Sequence, residues 1–287
     1  MPYLLALVSA LLYGAADFTG GLATRRAGVL PVVAVSQLSG LVLLLLVLPL
    51  LPNTSPSSAD LRWGLASALT GAVGVALLYR ALATGSMAVV APTTAVCAVA
   101  IPVLVSVLLG ERPGGPAVAG ILLGVGSIAL VSQQTARTAE GSDHPPGSRL
   151  PPGVGMALVS GVAIGLFFLS LARTRPEAGL WPILVSRAVS ATLYGSAAAV
   201  RRQSLRMPGV LLLTLVCGAV DMAANALYLV AVRVGPLSLV VTLASLYPAS
   251  TVLLARLVLG ERLNGRQVTG VVCALAAIAL IVGGGRP

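Results

Sequence analysis

Lysine is absent from the 287 residues, so the cationic load falls on 18 arginines. Acidic residues number eight, and charged residues of all kinds make up 9% of the chain, against about 25% in a soluble globular protein. With 57% hydrophobic residues and a mean hydropathy of +1.00, the chain has too little charge to cover a water-facing surface. This excludes a soluble domain and points to a polytopic membrane protein. Cysteine is scarce. Cys97, Cys217 and Cys273 each fall inside an apolar stretch without regular spacing, which excludes a disulfide framework or a thiolate metal site. Histidine occurs once, at His144, in a polar segment. There is no His-Glu-x-x-His, no phosphate-binding glycine loop with lysine and no nucleophile elbow, so no enzyme or resident cofactor is indicated. The net charge is +10, yet the arginines form no basic patch or helix, which argues against a nucleic-acid partner. Most stand at the ends of apolar segments, where they anchor helices at the membrane surface. The N-terminal apolar stretch lacks a basic leader, and it reads as a first span and not a cleaved signal.

What is present is a series of apolar runs about twenty residues long. A backbone in lipid must satisfy its own hydrogen bonds, so spans are helices or closed barrels. Barrel strands alternate in polarity, which these runs do not. Ten segments can cross a core about 30 Å thick: Tyr3–Ala23, Pro31–Leu51, Leu61–Ala83, Met87–Leu109, Pro116–Ser132, Gly153–Ala172, Leu180–Val200, Gly209–Val232, Leu237–Leu259 and Gln267–Val282. Residues 133–152 are rich in Ser, Thr, Gly, Pro and charge, a linker composition. They separate a first set of five helices, residues 1–132, from a second, residues 153–287.

The two sets are copies. Gly110-Glu111-Arg112 and Gly120 in the first answer Gly260-Glu261-Arg262 and Gly270 in the second, with 260 − 110 = 150 and 270 − 120 = 150. Leu7-Val8-Ser9 answers Leu158-Val159-Ser160, Arg25 answers Arg175, and Gln37 answers Arg187. Five spans per copy place the copies in opposite orientations, a recurring plan of secondary transporters with a site near the midplane. The paired Gly-Glu-Arg turns, Tyr247-Pro248, Tyr13-Gly14 and the following Asp17-Phe18-Thr19-Gly20-Gly21 give the chain its resemblance to the drug/metabolite transporter superfamily, in the ten-helix form with two EamA-type repeats. The first copy departs from this pattern, with Ala98 answering Pro248 and Pro102 four residues later. The resemblance implies an all-α integral membrane protein of ten helices in two inverted five-helix repeats. It also implies movement of a small-molecule solute across a plasma membrane, with both termini in the cytoplasm. The arginine count opposes that orientation, since it leaves six arginines in the inner loops and tail and nine in the outer loops.

A few polar side chains stand inside the apolar runs. Asp17 shares a helix face with Ser9 and Tyr13 at four-residue spacing, and a lone carboxylate there costs about 2.5–3.5 kcal/mol on insertion scales. It is the candidate for proton coupling; the similar small multidrug resistance transporters use a first-helix carboxylate. The alternative is a contact with Arg25 near the helix end. Asp221 falls mid-segment, with Asn225 and Tyr228 completing a stripe on one face. Arg187, also within a span, needs a counter-charge, an aqueous cavity or an anionic substrate group, and Asp221 is the acid of opposite sign. These four, with Gln37, Tyr79, Thr93 and Tyr247, are the expected lining of a solute cavity, and Thr94 and Ser245 add further neutral polar groups. Opposite charges would hold a zwitterion by both ends, which favours amino-acid-like solutes. Glu111 and Glu261 are expected to cap helix starts or pair with neighbouring arginines. The small residues at Gly120 and Gly124, Gly161 and Gly165, and Gly270 and Ala274 mark close helix packing. The expected activity is a secondary transporter, an exporter of small metabolites. The rivals are a proton-coupled drug or cation efflux pump of the same fold, and a non-transporting membrane scaffold or receptor.

Overall fold

A computed structural model describes residues 1–50, 54–108, 114–132, 152–234, 243–244, 246–261, 263 and 265–284. The linker with His144, the Gly110-Glu111-Arg112 turn, Ser245 and Arg262 lie outside the described residues. Among the described residues ten α-helices follow one another: α1 (Pro2–Ala27), α2 (Val29–Val47), α3 (Ser58–Thr84), α4 (Met87–Leu108), α5 (Gly115–Ser132), α6 (Val154–Ala172), α7 (Trp181–Val200), α8 (Leu211–Val234), α9 (Tyr247–Leu259) and α10 (Gly265–Gly284). Among the described residues there is no strand. Helix starts follow local chemistry. Pro2, Pro182 and Pro248 stand in first turns, where no amide donor is missed. Ser57 and Asp60 form a reciprocal capping box at the start of α3.

The fourth and ninth segments differ, as their prolines foreshadowed. The fourth is one continuous helix. In the ninth, Leu243 and Ala244 are helical, Leu246 is a turn residue whose N–H reaches Leu243 O at 3.2 Å, and a new helix begins at Tyr247.

The repeats are interdigitated and do not form side-by-side bundles. α1 packs on α8 and α9 of the other repeat, and its counterpart α6 packs on α3 and α4. α2 meets α7, its own counterpart, and α5 meets α10, also its own counterpart. These contacts between repeats recur with the partners exchanged, the pattern of a two-fold relation within one chain. The small-residue stripes serve this packing: a Cβ on Gly120 would meet Ala277 O of α10 at 2.8 Å, and one on Gly161 would meet Thr94 O of α4 at 2.6 Å.

Candidate functional site

The centre of the bundle is built where α2, α7 and α8 converge. Gly40 and Gly218 let α2 and α8 touch through their backbones: a Cβ on Gly218 would lie 2.0 Å from Ser36 O, and one on Gly40 would lie 3.1 Å from Arg187 Nη1. The guanidinium of Arg187, two turns into α7, fills the space the missing side chains leave. It donates from Nη1 to Gln37 Oε1 on α2 at 2.9 Å and from Nη2 to Asp221 Oδ2 on α8. Gln37 and Arg187 are the same position in the two repeats, 187 − 37 = 150, so this bond crosses the axis that relates them. Arg187 is 7% exposed and Gln37 8%, whereas the Asp221 side chain keeps 25% of its surface. A guanidinium taken out of water needs an opposite charge and hydrogen-bond acceptors; here Asp221 supplies the charge, and Asp221 and Gln37 each supply an acceptor.

The stripe beyond Asp221 is turned partly on itself. Asn225 Nδ2 donates to the Asp221 backbone carbonyl at 2.7 Å and, more distantly, to its carboxylate at 3.4 Å. Tyr228 packs with Leu5, Ala6, Ala231 and Leu243. Tyr79 bonds the Cys217 sulfur at 3.2 Å, one turn before Asp221, and Cys217 in turn contacts Ala16 O at 3.3 Å. Thr93 returns its hydroxyl proton to Val89 O of its own helix at 2.8 Å and is buried. Thr94 reaches Ala157 O on α6 at 3.3 Å. The structure therefore brings Arg187, Asp221, Gln37 and Asn225 together, while Tyr79 and Thr93 spend their polar atoms on helix contacts.

Asp17 is different. It lies on α1 one turn after Tyr13, partly buried, and its carboxylate accepts no hydrogen bond and forms no ion pair among the described residues. The ring of Tyr247 stands 6.2 Å from that of Tyr13, joining α9 to this face of α1. Arg25, the alternative partner, is engaged elsewhere. With Arg187 and Asp221 neutralising each other, Asp17 is the interior acid that has no bonded counter-ion among the described residues.

Two ionic clusters at the bundle ends were only half legible in sequence. Glu261 does cap a helix, but a helix of the other repeat. Gly260 ends α9 in the left-handed conformation, φ +65°, which a glycine adopts without strain, and so throws Glu261 across to α4. There its carboxylate accepts from Ser86 Oγ at 2.9 Å, Ala88 N at 3.2 Å and Met87 N at 3.3 Å. Arg25 Nη2 stands 3.6 Å from the same carboxylate and donates to Leu82 O and Gly85 O at the end of α3. An anion thus sits at a helix start and a cation at a helix end, each favoured by the helix dipole. At the opposite end of α3, Asp60 accepts from Ser57 N and Oγ and from Arg175 N, Nε and Nη2, all within 3.2 Å. These bonds raise the pKa of Arg175 above its usual value. Asp60 carried a visible signal, Ser57-Ser-Ala-Asp60 ahead of an apolar run, the pattern of a capping box. A surface cavity of about 350 Å³ adjoins the first cluster, lined by Arg256, Gly260, Glu261 and Leu263.

Residues 1–133 and 151–283 each match the EamA-like transporter family. A solved crystal structure aligns with 97% of this chain and 95% of its own at a TM-score of 0.60 and 18% identity, a likeness of fold. No curated protein matches the chain significantly.

Proposed function

The chain belongs to the EamA-like transporter family and is a multi-pass membrane protein, and from that premise we propose that it exports small metabolites, amino-acid-like solutes among them, by alternating access between its two inverted repeats. In this reading both termini lie on the cytoplasmic side of the plasma membrane. The observation that carries it is the Arg187–Asp221 pair, bonded across the repeat axis to Gln37 in the middle of an apolar bundle. A zwitterion entering beside the pair offers a carboxylate to Arg187 and an ammonium to Asp221, replacing one ion pair by two. Tyr13 and Tyr247 supply the apolar wall for its side chain. Metabolite profiling of cells and medium, comparing a deletion strain with one expressing the chain, tests this. A solute that accumulates inside the deletion strain and returns to the medium on expression is the expected result; no change in any amine-bearing solute contradicts it.

A second reading, proton-coupled efflux of cationic compounds, is favoured by Asp17, whose carboxylate bonds nothing among the described residues. Intramembrane acids of that kind mark proton or cation pathways. The two readings part at Asp17→Asn: a cation exporter loses transport altogether, whereas a zwitterion exporter keeps it and loses its dependence on pH. A scaffold role draws support from the helix contacts of Tyr79 and Thr93, but it offers no reason for an unbonded carboxylate in the interior.

A further inference from the structure

Glu261 makes more bonds than a turn residue needs. Its carboxylate closes the start of α4, holds the hydroxyl of Ser86 and faces Arg25, which itself closes the end of α3. One side chain from the α9–α10 turn of the second repeat thereby ties together the ends of α1, α3 and α4 of the first. Those helices, with α9, carry Asp17, Tyr13, Tyr79 and Tyr247 toward the centre, and along α1 the distance from Asp17 to Arg25 is about 12 Å. Thr24, the residue before Arg25, has a buried hydroxyl that bonds nothing among the described residues. Buried polar atoms are ordinarily paired, so this end of the bundle has a hydrogen bond still to make. The Asp60 cluster is built otherwise. Asp60 is 1% exposed, and Arg175, whose own side chain keeps 54% of its surface, grips it through its backbone N–H and two guanidinium nitrogens. Glu261 keeps 19% of its side-chain surface and Arg25 30%, their separation is 3.6 Å, and the cavity opens beside them.

We infer that Glu261 is the latch of a gate: its contacts with Arg25 and the start of α4 seal the central site from the Arg25 face, their release opens that face, and the Asp60–Arg175 cluster stays closed as a fixed clamp. The inference rests on the transporter reading above. Release moves the α9–α10 turn away from the α3–α4 turn without unfolding a helix, because Gly260 already ends α9 and Gly85 already ends α3. Any solute group that draws α9 inward through Tyr247 would pull on the latch from within.

The test is side-specific labelling of full-length protein in membranes. The three native cysteines are replaced by alanine, and Asn225→Cys supplies a reporter in the central site. A membrane-impermeant methanethiosulfonate is added from either side, and Arg26→Cys in a parallel chain identifies the Arg25 face. The expected result is that Glu261→Ala speeds labelling roughly ten-fold from the Arg25 face alone, with Arg25→Gln giving a smaller increase in the same direction and Asp60→Asn giving none. Should Glu261→Ala fail to accumulate, Arg25→Gln, which leaves the α4 cap in place, carries the same test. Unchanged labelling, an equal rise from both faces, or the same rise in Asp60→Asn would overturn the latch. If the reporter reacts from neither face in any chain while Arg26→Cys reacts, the central pathway itself is wrong, and the transporter reading fails with it.

Discussion

Arg25 and Arg175 stand 150 residues apart at equivalent points of the two repeats, Arg25 in the last turn of α1 and Arg175 just after α6, and each reaches a carboxylate that caps a helix of the first repeat. The carboxylates are not equivalent. Arg25 meets Glu261, borrowed from the second repeat, at 3.6 Å and partly in solvent. Arg175, its side chain half in solvent, grips the buried Asp60, local to the helix it caps, through three nitrogens. The same divergence runs through the centre. Gln37 and Arg187 are one position in two copies and bond each other, but one is neutral and the other charged. Asp17 has Phe168 as its counterpart, and Asp221 and Asn225 have Ala72 and Ala76. Duplication thus sets the helices and their contacts, while unequal side chains at equivalent positions give the two faces different strengths and the centre a single set of charges.

The largest effect expected from disturbing this inequality is at the axis. Asp221→Ala leaves Arg187 buried without its counter-charge, which should cost about 3–5 kcal/mol of stability. Gln37→Ala removes a neutral acceptor from the same guanidinium and should cost about 1–3 kcal/mol. Thermal unfolding of the purified protein in detergent measures both, and equal losses would mean that the two repeats share the charge evenly.

Next come the two ends. Glu261→Ala takes the cap from α4 and should cost about 1 kcal/mol. Asp60→Ala removes a capping box and the anchor of Arg175 together and is expected to lower Tm further than Glu261→Ala. A reversed order would make Glu261 the clamp and Asp60 the weaker contact. Raising salt should widen the gap, because it screens the partly exposed Glu261 carboxylate more than the buried Asp60 carboxylate.

A change comparable to that of Glu261→Ala is expected at Cys217→Ala, which leaves the buried Tyr79 hydroxyl without its partner and should cost about 1 kcal/mol. Smallest of all in stability is Asp17→Asn. The Asp17 carboxylate bonds nothing among the described residues, so Asn in its place removes no bond and Tm should not fall, while the pH dependence of transport disappears. An Asp17→Asn chain with unchanged pH dependence would remove Asp17 from the transport chemistry.

The helices were legible because apolar runs of span length leave few other structures in lipid. Observed starts and ends fall within a few residues of those read from Tyr3 to Ala83 and from Gly153 to Val200. The pairing of Arg187 with Asp221 was legible too, since each was the intramembrane ion of opposite sign. Glu261 was legible as a cap but not in its partner, because capping rules are local and Ser86 lies 175 residues away. The interlocking of α1 with α8 and α9 left no trace in hydropathy, which shows what is buried and not against what. Tyr79 and Thr93 were placed in the cavity lining by residue type alone. Type does not show that a hydroxyl will prefer Cys217 or a carbonyl of its own helix.

The central claim is that Arg187 and Asp221 serve the solute and not merely each other. The direct measurement is export by the double variant Arg187→Gln with Asp221→Asn, expressed in the deletion strain and scored on the solute that strain retains. Removing both charges leaves no uncompensated ion, so the double variant should unfold within about 1 kcal/mol of the unaltered chain, far closer than either single variant. The expected result is a folded protein in the membrane with export lost. A double variant that exports normally would show that the pair is only a staple between helices.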